Sequence, residues 1–122
     1  MNVLIIAVGG AIGSVLRYGL ATFVQRYASP AFPYGTFVVN LVGCAAFGLI
    51  LGSAEEHLSV MVATRGFVLI GLLGGFTTFS AFSYDTVGLL RDGEILLAAT
   101  NAVGQVALGI CALWAGYALT AR

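Results

Sequence analysis

The sequence predicts an all-α integral membrane protein of four transmembrane helices, assembled as an antiparallel, dual-topology homodimer. Three observations predict it. The chain has 122 residues, 60% hydrophobic and 8% charged, whereas a soluble domain is nearer half apolar and a quarter charged. A soluble domain this short has too little interior to hide so much apolar surface. The apolar residues also fall in long runs parted by short polar breaks, and a spanning helix needs about 20 mostly apolar residues. Finally, the few cations divide evenly between the two sides that four spans define.

The spans follow in order. Span one covers roughly 2–25; it has no basic leader and is longer than the apolar core of a signal peptide, so it reads as a retained span. "ASPAFPYG" follows, with Pro30 and Pro33 marking a loop. Span two covers roughly 34–51 and ends at "SAEEHLS", which holds Glu55, Glu56 and His57. Span three covers roughly 62–90 and stops at the turn "RDGE"; span four covers roughly 95–120. The whole chain, 1–122, reads as one membrane domain.

Four spans put both termini on one side. Setting aside Arg17 inside span one, that side holds Arg65 and Arg122, and the other holds Arg26 and Arg91. The positive-inside rule then sets no orientation. A chain that inserts both ways assembles naturally with its inverted copy about a two-fold axis in the membrane plane. Net charge is zero and lysine is absent, which argues against nucleic acid and against a polybasic membrane-surface helix. Cys44 and Cys111 lie in apolar runs and read as small buried hydrophobes, not as a disulfide or metal pair.

Polar residues inside spans are costly and face protein or a water-filled path. Thr36, Asn40 and Cys44 recur four apart and share one helix face, as do Asn101, Gln105 and Gly109. Phe79 and Phe82 lie three apart, as do Thr77 and Ser80. Helix packing is the alternative role for such stripes, and the spacings Gly9/Gly13, Gly48/Gly52 and Gly71/Gly75 predict close helix contacts. Arg17 either snorkels to the interface or lends positive potential to an aqueous vestibule. Asp85 either reaches water or pairs with Arg17 or Arg91, the structural ion pair being favoured. No enzyme constellation is present: His57 sits in a loop without a nucleophile or further metal ligands. Amides, hydroxyls and ring edges, which are partly positive, suit a small anion better than a cation.

"GGAIGSVLRYG", "GTFVVN" and "GGFTTFSAF" are similar to the signature motifs of the Fluc/CrcB fluoride channel family, in the family's order and in a chain of its length. The resemblance covers nearly the whole chain, and the third motif is the most specific. It implies a multi-pass protein of the prokaryotic plasma (inner) membrane: an antiparallel dimer that passes fluoride passively out of the cytoplasm through two pores at its interface, giving fluoride resistance. It implies a third helix broken at mid-membrane and a structural Na+ on the two-fold axis, faced by backbone carbonyls of Gly74 and Thr77. Asn40 matches the pore asparagine, and Phe79 and Phe82 the phenylalanines whose edges face fluoride. Thr78 and Ser80 offer hydroxyls to the path, and Arg17 stands near the pore entrance. Asn101 and Gln105 stand where the family often has tyrosine or asparagine and then serine on a polar track; the glutamine narrows the path or replaces the hydroxyl as donor. Ala81 replaces a common threonine. Two alternatives are a small multidrug-type proton-coupled antiporter, which needs a carboxylate that span one lacks, and a non-transporting membrane scaffold.

Overall fold

The computed structural model describes residues 2–54 and 65–121, and every regular element among them is helical. The break carrying Glu55, Glu56 and His57, the start of the third span and Arg122 lie outside those residues. Among the described residues four helical stretches are long and apolar enough to cross a membrane: Val3–Tyr27, Tyr34–Ala54, Arg65–Arg91 and Ile95–Thr120.

Helix α1 (Val3–Tyr27) starts where the Asn2 side chain accepts from the Leu4 N–H at 2.9 Å, a cap for one of the donors that a helix start leaves unpaired. Past Tyr27 the chain turns at Ala28, and Gln25 holds the turn together. Its Nε2 donates to the Ser29 and Phe32 carbonyls at 3.1 Å each, and its Oε1 accepts from Gly35 N–H at 3.1 Å. Phe32 is buried there against the rings of Tyr34 and Phe37. Helix α2 (Tyr34–Ala54) continues past Leu51, and within that extension the Ser53 hydroxyl donates back to the Leu49 carbonyl at 2.8 Å.

The third span is composite. A π-helical segment, Arg65–Leu73, leads into one helical turn, α3 (Gly74–Phe76). Thr77 and Thr78 are extended, and helix α4 (Phe79–Arg91) follows. The turn after α4 needs Gly93, whose φ is +77°, a conformation that side chains with a Cβ rarely adopt. Helix α5 (Ile95–Thr120) completes the chain.

Glycine spacing decides which helices touch. A Cβ on Gly9 would meet the Phe67 carbonyl oxygen at 2.6 Å, and one on Gly13 would overlap the Leu72 carbonyl. A Cβ on Gly75 would sit 2.7 Å from the Gly10 carbonyl oxygen. So α1 presses backbone to backbone on the first half of the third span. On the other side Gly48 fits against Leu113, Gly52 against Tyr117 and Thr120, and Gly116 against Ala45, pairing α2 with α5. The Thr120 hydroxyl fastens the end of that pair by donating to the Leu49 carbonyl at 2.9 Å. All three predicted glycine pairs thus lie at contacts. Large apolar side chains such as Leu4, Val15, Leu96 and Leu119 point outward, as lipid rather than water allows.

The packing predicts unequal costs for one methyl group. Gly13→Ala destabilises the protein by about 1–3 kcal/mol through overpacking. Gly19→Ala, with nothing within 4 Å of the new Cβ, changes stability by less than about 0.5 kcal/mol. Denaturant titration in mild detergent measures both.

Candidate functional site

The site is organised by where two backbone N–H groups go. In an uninterrupted helix the Thr78 N–H would bond the Gly74 carbonyl, and the Ala81 N–H the Thr77 carbonyl. Instead Thr78 N–H donates to Asn40 Oδ1 at 3.0 Å, and Ala81 N–H to the Thr78 hydroxyl at 3.2 Å. Thr77 (φ −85°, ψ 155°) and Thr78 (φ −151°, ψ 125°) are extended as a result. Gly74 and Gly75 keep helical backbone, so the interruption falls on the threonines. The Thr77 hydroxyl and N–H both donate to the Leu73 carbonyl at 3.0 Å, closing the turn before it. Thr78 then serves as the N-cap of α4, and the positive end of that helix dipole lies at Phe79.

Asn40 holds the interruption from α2. Besides accepting from Thr78, its Nδ2 donates to the Thr78 carbonyl at 3.1 Å and to Gln105 Oε1 at 2.8 Å. Gln105 Nε2 donates to Asn101 Oδ1 at 2.9 Å, Asn101 Nδ2 to the Thr86 hydroxyl at 3.0 Å, and that hydroxyl to the Phe82 carbonyl at 2.8 Å. The chain of bonds leaves α4 at Thr78, crosses α2 and α5, and returns to α4 at Phe82. It brackets the turn that carries both phenylalanines, whose ring centroids lie 5.5 Å apart.

A cavity of about 320 Å³ opens beside that turn. Asn40, Thr77, Thr78, Phe79, Phe82 and Gln105 line it, so six of the residues read from the sequence come together. Among the described residues no Asp, Glu, Lys or Arg is on its wall. Four do not line it. Asn101 is fully buried, 0% exposed, behind Gln105. Ser80 is exposed, its hydroxyl 3.2 Å from that of Thr78. Gly74 is exposed on the chain's own surface. Arg17 lines a second cavity of about 240 Å³ with Ser14, Thr36 and Thr78; Thr78 belongs to both walls.

Five residues on the first cavity were not singled out as site residues: Gly43, Cys44, which is a free thiol, Phe47, Val106 and Leu113. The signal for Cys44 was its place four residues after Asn40, on the same stripe. Thr86, which ends the hydrogen-bond chain, carried no signal without the fold. The expected ion pair of Asp85 is corrected. Its carboxylate faces the Thr36 side chain of α2, and its Oδ2 is buried without a hydrogen-bond partner among the described residues. Arg17 projects from α1 into a cavity that Asp85 does not line, and Arg91 shares a third cavity with Asp85 without reaching it.

Comparison with known proteins adds an independent line. A family model described as CrcB-like protein, Camphor Resistance (CrcB), matches residues 4–117. The chain is 45% identical over 115 residues to a protein of Nitratidesulfovibrio vulgaris named fluoride-specific ion channel FluC, covering 94% of this chain and 93% of that one. Proteins of the same name from Nitrosococcus oceani and Agrobacterium fabrum are 44% and 42% identical. The alignment covers 94% of this chain and 92% of the first, and 98% of this chain and 95% of the second.

Asn40→Leu leaves the Thr78 N–H without its partner, while the Thr78 carbonyl keeps the first helical bond of α4. It costs about 1–3 kcal/mol of stability for the stranded donor and speeds hydrogen–deuterium exchange at the Thr78 amide. Exchange read by mass spectrometry on peptides covering Thr78 checks it.

Proposed function

The chain belongs to the CrcB-like family, and on that premise we propose that it is a passive, fluoride-selective channel carrying the ion out of the cytoplasm. It is a multi-pass membrane protein of the prokaryotic plasma membrane, as its four spanning helices and bacterial relatives indicate. The observation that carries the reading is the 320 Å³ cavity. Amide, hydroxyl and phenyl groups line it, with no carboxylate to attract a cation and no basic side chain to trap an anion among the described residues. Fluoride is small and strongly hydrated, so a conducting path has to replace its water with donors. Thr78, Ser80 and Gln105 supply polar hydrogens, Phe79 and Phe82 supply ring edges, and the start of α4 adds a favourable dipole. Asn101 supports the path from behind. Arg17, on the neighbouring cavity that shares Thr78, marks the pore entrance and raises the local anion concentration.

The second copy is required by surface chemistry. Thr78 is the central residue of the described span Arg65–Arg91, which supports an interruption at mid-membrane. Phe79 is 77% exposed, and Ser80 and Gly74 are exposed beside it. Irregular backbone and free hydroxyls at that depth are tolerated only against protein or a water-filled cavity. An antiparallel copy covers them and gives two pores at the shared interface.

The same surface fits a Na+ ion on the two-fold axis. The carbonyls of Gly74 and Thr77 have lost their helical donors to Asn40 and Thr78, and hard oxygens of this kind suit a hard cation. Among the described residues no cluster of three His, Cys, Asp or Glu side chains could hold a metal, so backbone oxygen is the donor set at hand. When bound, the ion would offset the dipoles of these carbonyls.

A proton-coupled multidrug antiporter would need a buried carboxylate in α1, which contains no Asp or Glu. A scaffold would pass no ion. Liposomes holding the purified protein therefore release fluoride and retain chloride; no release, or equal release of both, contradicts the proposal. Phe82→Ile slows fluoride release about two- to tenfold, the range for one aromatic contact, with the dimer intact by size-exclusion chromatography. Replacing sodium with N-methylglucamine lowers the unfolding midpoint of the dimer, since the ion binds only the folded state.

A further inference from the structure

A primary amide has two N–H hydrogens and an oxygen with two acceptor sites. The Thr78 backbone N–H can only donate, so the Asn40 atom that meets it is oxygen. That choice turns Nδ2 toward the Thr78 carbonyl and Gln105, and both of its hydrogens are taken. Gln105 is forced in turn: its oxygen meets Asn40, and its nitrogen meets Asn101 Oδ1. The Thr86 hydroxyl gives its single hydrogen to the Phe82 carbonyl, so it accepts from Asn101. One backbone N–H therefore sets the direction of all three amides. Reversing Gln105 alone would set nitrogen against nitrogen at Asn40 and oxygen against oxygen at Asn101.

The supply of free hydrogens follows. Asn40 lines the cavity with none to spare. Gln105 lines the same cavity, is only 7% exposed, and keeps one Nε2 hydrogen without a partner among the described residues. Asn101 has a spare hydrogen but does not line the cavity. We infer that Gln105, and not Asn40, presents the amide donor to the passing anion in this chain. Asn40 is a positioning residue: it holds the interruption at Thr78 and fixes the direction of the Gln105 amide. The inference rests on the channel reading and assigns a specificity-determining donor within it. An anion without a strong demand for hydrogen bonds gains less from that N–H than fluoride does.

Two measurements on the full-length protein test it. Fluoride efflux from liposomes is compared for wild type, Gln105→Met and Gln105→Ser. Side-chain amide resonances of the 15N-labelled wild-type protein are followed while sodium fluoride, or sodium chloride as control, is added. Wild type conducts; Gln105→Met slows efflux about ten- to hundredfold, as the loss of a hydrogen bond to a charged group does; and Gln105→Ser, which restores a hydroxyl donor, recovers most of the rate. The Gln105 Nε2 resonance shifts with fluoride but not chloride, and the Asn40 resonance stays put. If wild type conducts while Gln105→Met keeps its rate, or if fluoride shifts Asn40 and leaves Gln105 unmoved, the inference is overturned and the channel reading stands. If wild type passes no fluoride, both fall. Should Gln105→Met fail to fold, the resonance titration decides alone.

Discussion

The bond from the Thr78 N–H to Asn40 Oδ1, 3.0 Å long, is the interaction on which the rest of the site depends. It takes a donor from the third span's own helix and gives it to a side chain of α2. On one side of the interruption this leaves carbonyls without helical partners. On the other it leaves a capped helix start whose first residue, Phe79, lines the cavity. Groups suited to a cation and groups suited to an anion therefore arise within one turn from a single diverted hydrogen bond. A backbone break at membrane depth would be costly if its polar groups went unmet. Asn40 meets both the N–H and the carbonyl of Thr78, which is why the break can persist.

Holding Asn40 opposite Thr78 is a matter of helix placement. Its helix, α2, packs on α5 through glycines at contacts that admit no side chain, and a Cβ on Gly43, three residues after Asn40, would overlap the Thr77 methyl group. Close packing on both sides leaves α2 little room to shift along or around its axis. The amide chain then adds direction to that position. Packing sets where Asn40, Gln105 and Asn101 stand, and hydrogen bonding sets which way each of them points.

Composition and periodicity made the four spans legible, because lipid demands long apolar runs whatever the fold. Glycine spacing made the tight contacts legible, though not which helix meets which. The polar stripes were legible as faces, but a face does not fix depth. Asn101 and Gln105 share one on α5, and only Gln105 reaches the cavity, since the register of α5 against α2 decides between two residues four apart. Asp85 shows the same limit: opposite charges suggest a pair, but the helix positions keep both arginines away. The motif in span three pointed to Gly74–Thr77 as the break. The two extended residues are Thr77 and Thr78, because what interrupts the helix is a competing acceptor on α2 rather than glycine flexibility.

The central claim is that Asn40 stays bound to Thr78 while the anion is met elsewhere on the cavity wall. A high-resolution crystal structure of the dimer grown in sodium fluoride tests it most directly. The account predicts anion density within hydrogen-bond distance of Gln105 Nε2 and beside Phe79 and Phe82, with Asn40 Oδ1 still accepting from Thr78 N–H. An Asn40 side chain turned away from Thr78 to hold the anion itself, or an uninterrupted helix through Thr77 and Thr78, would contradict it.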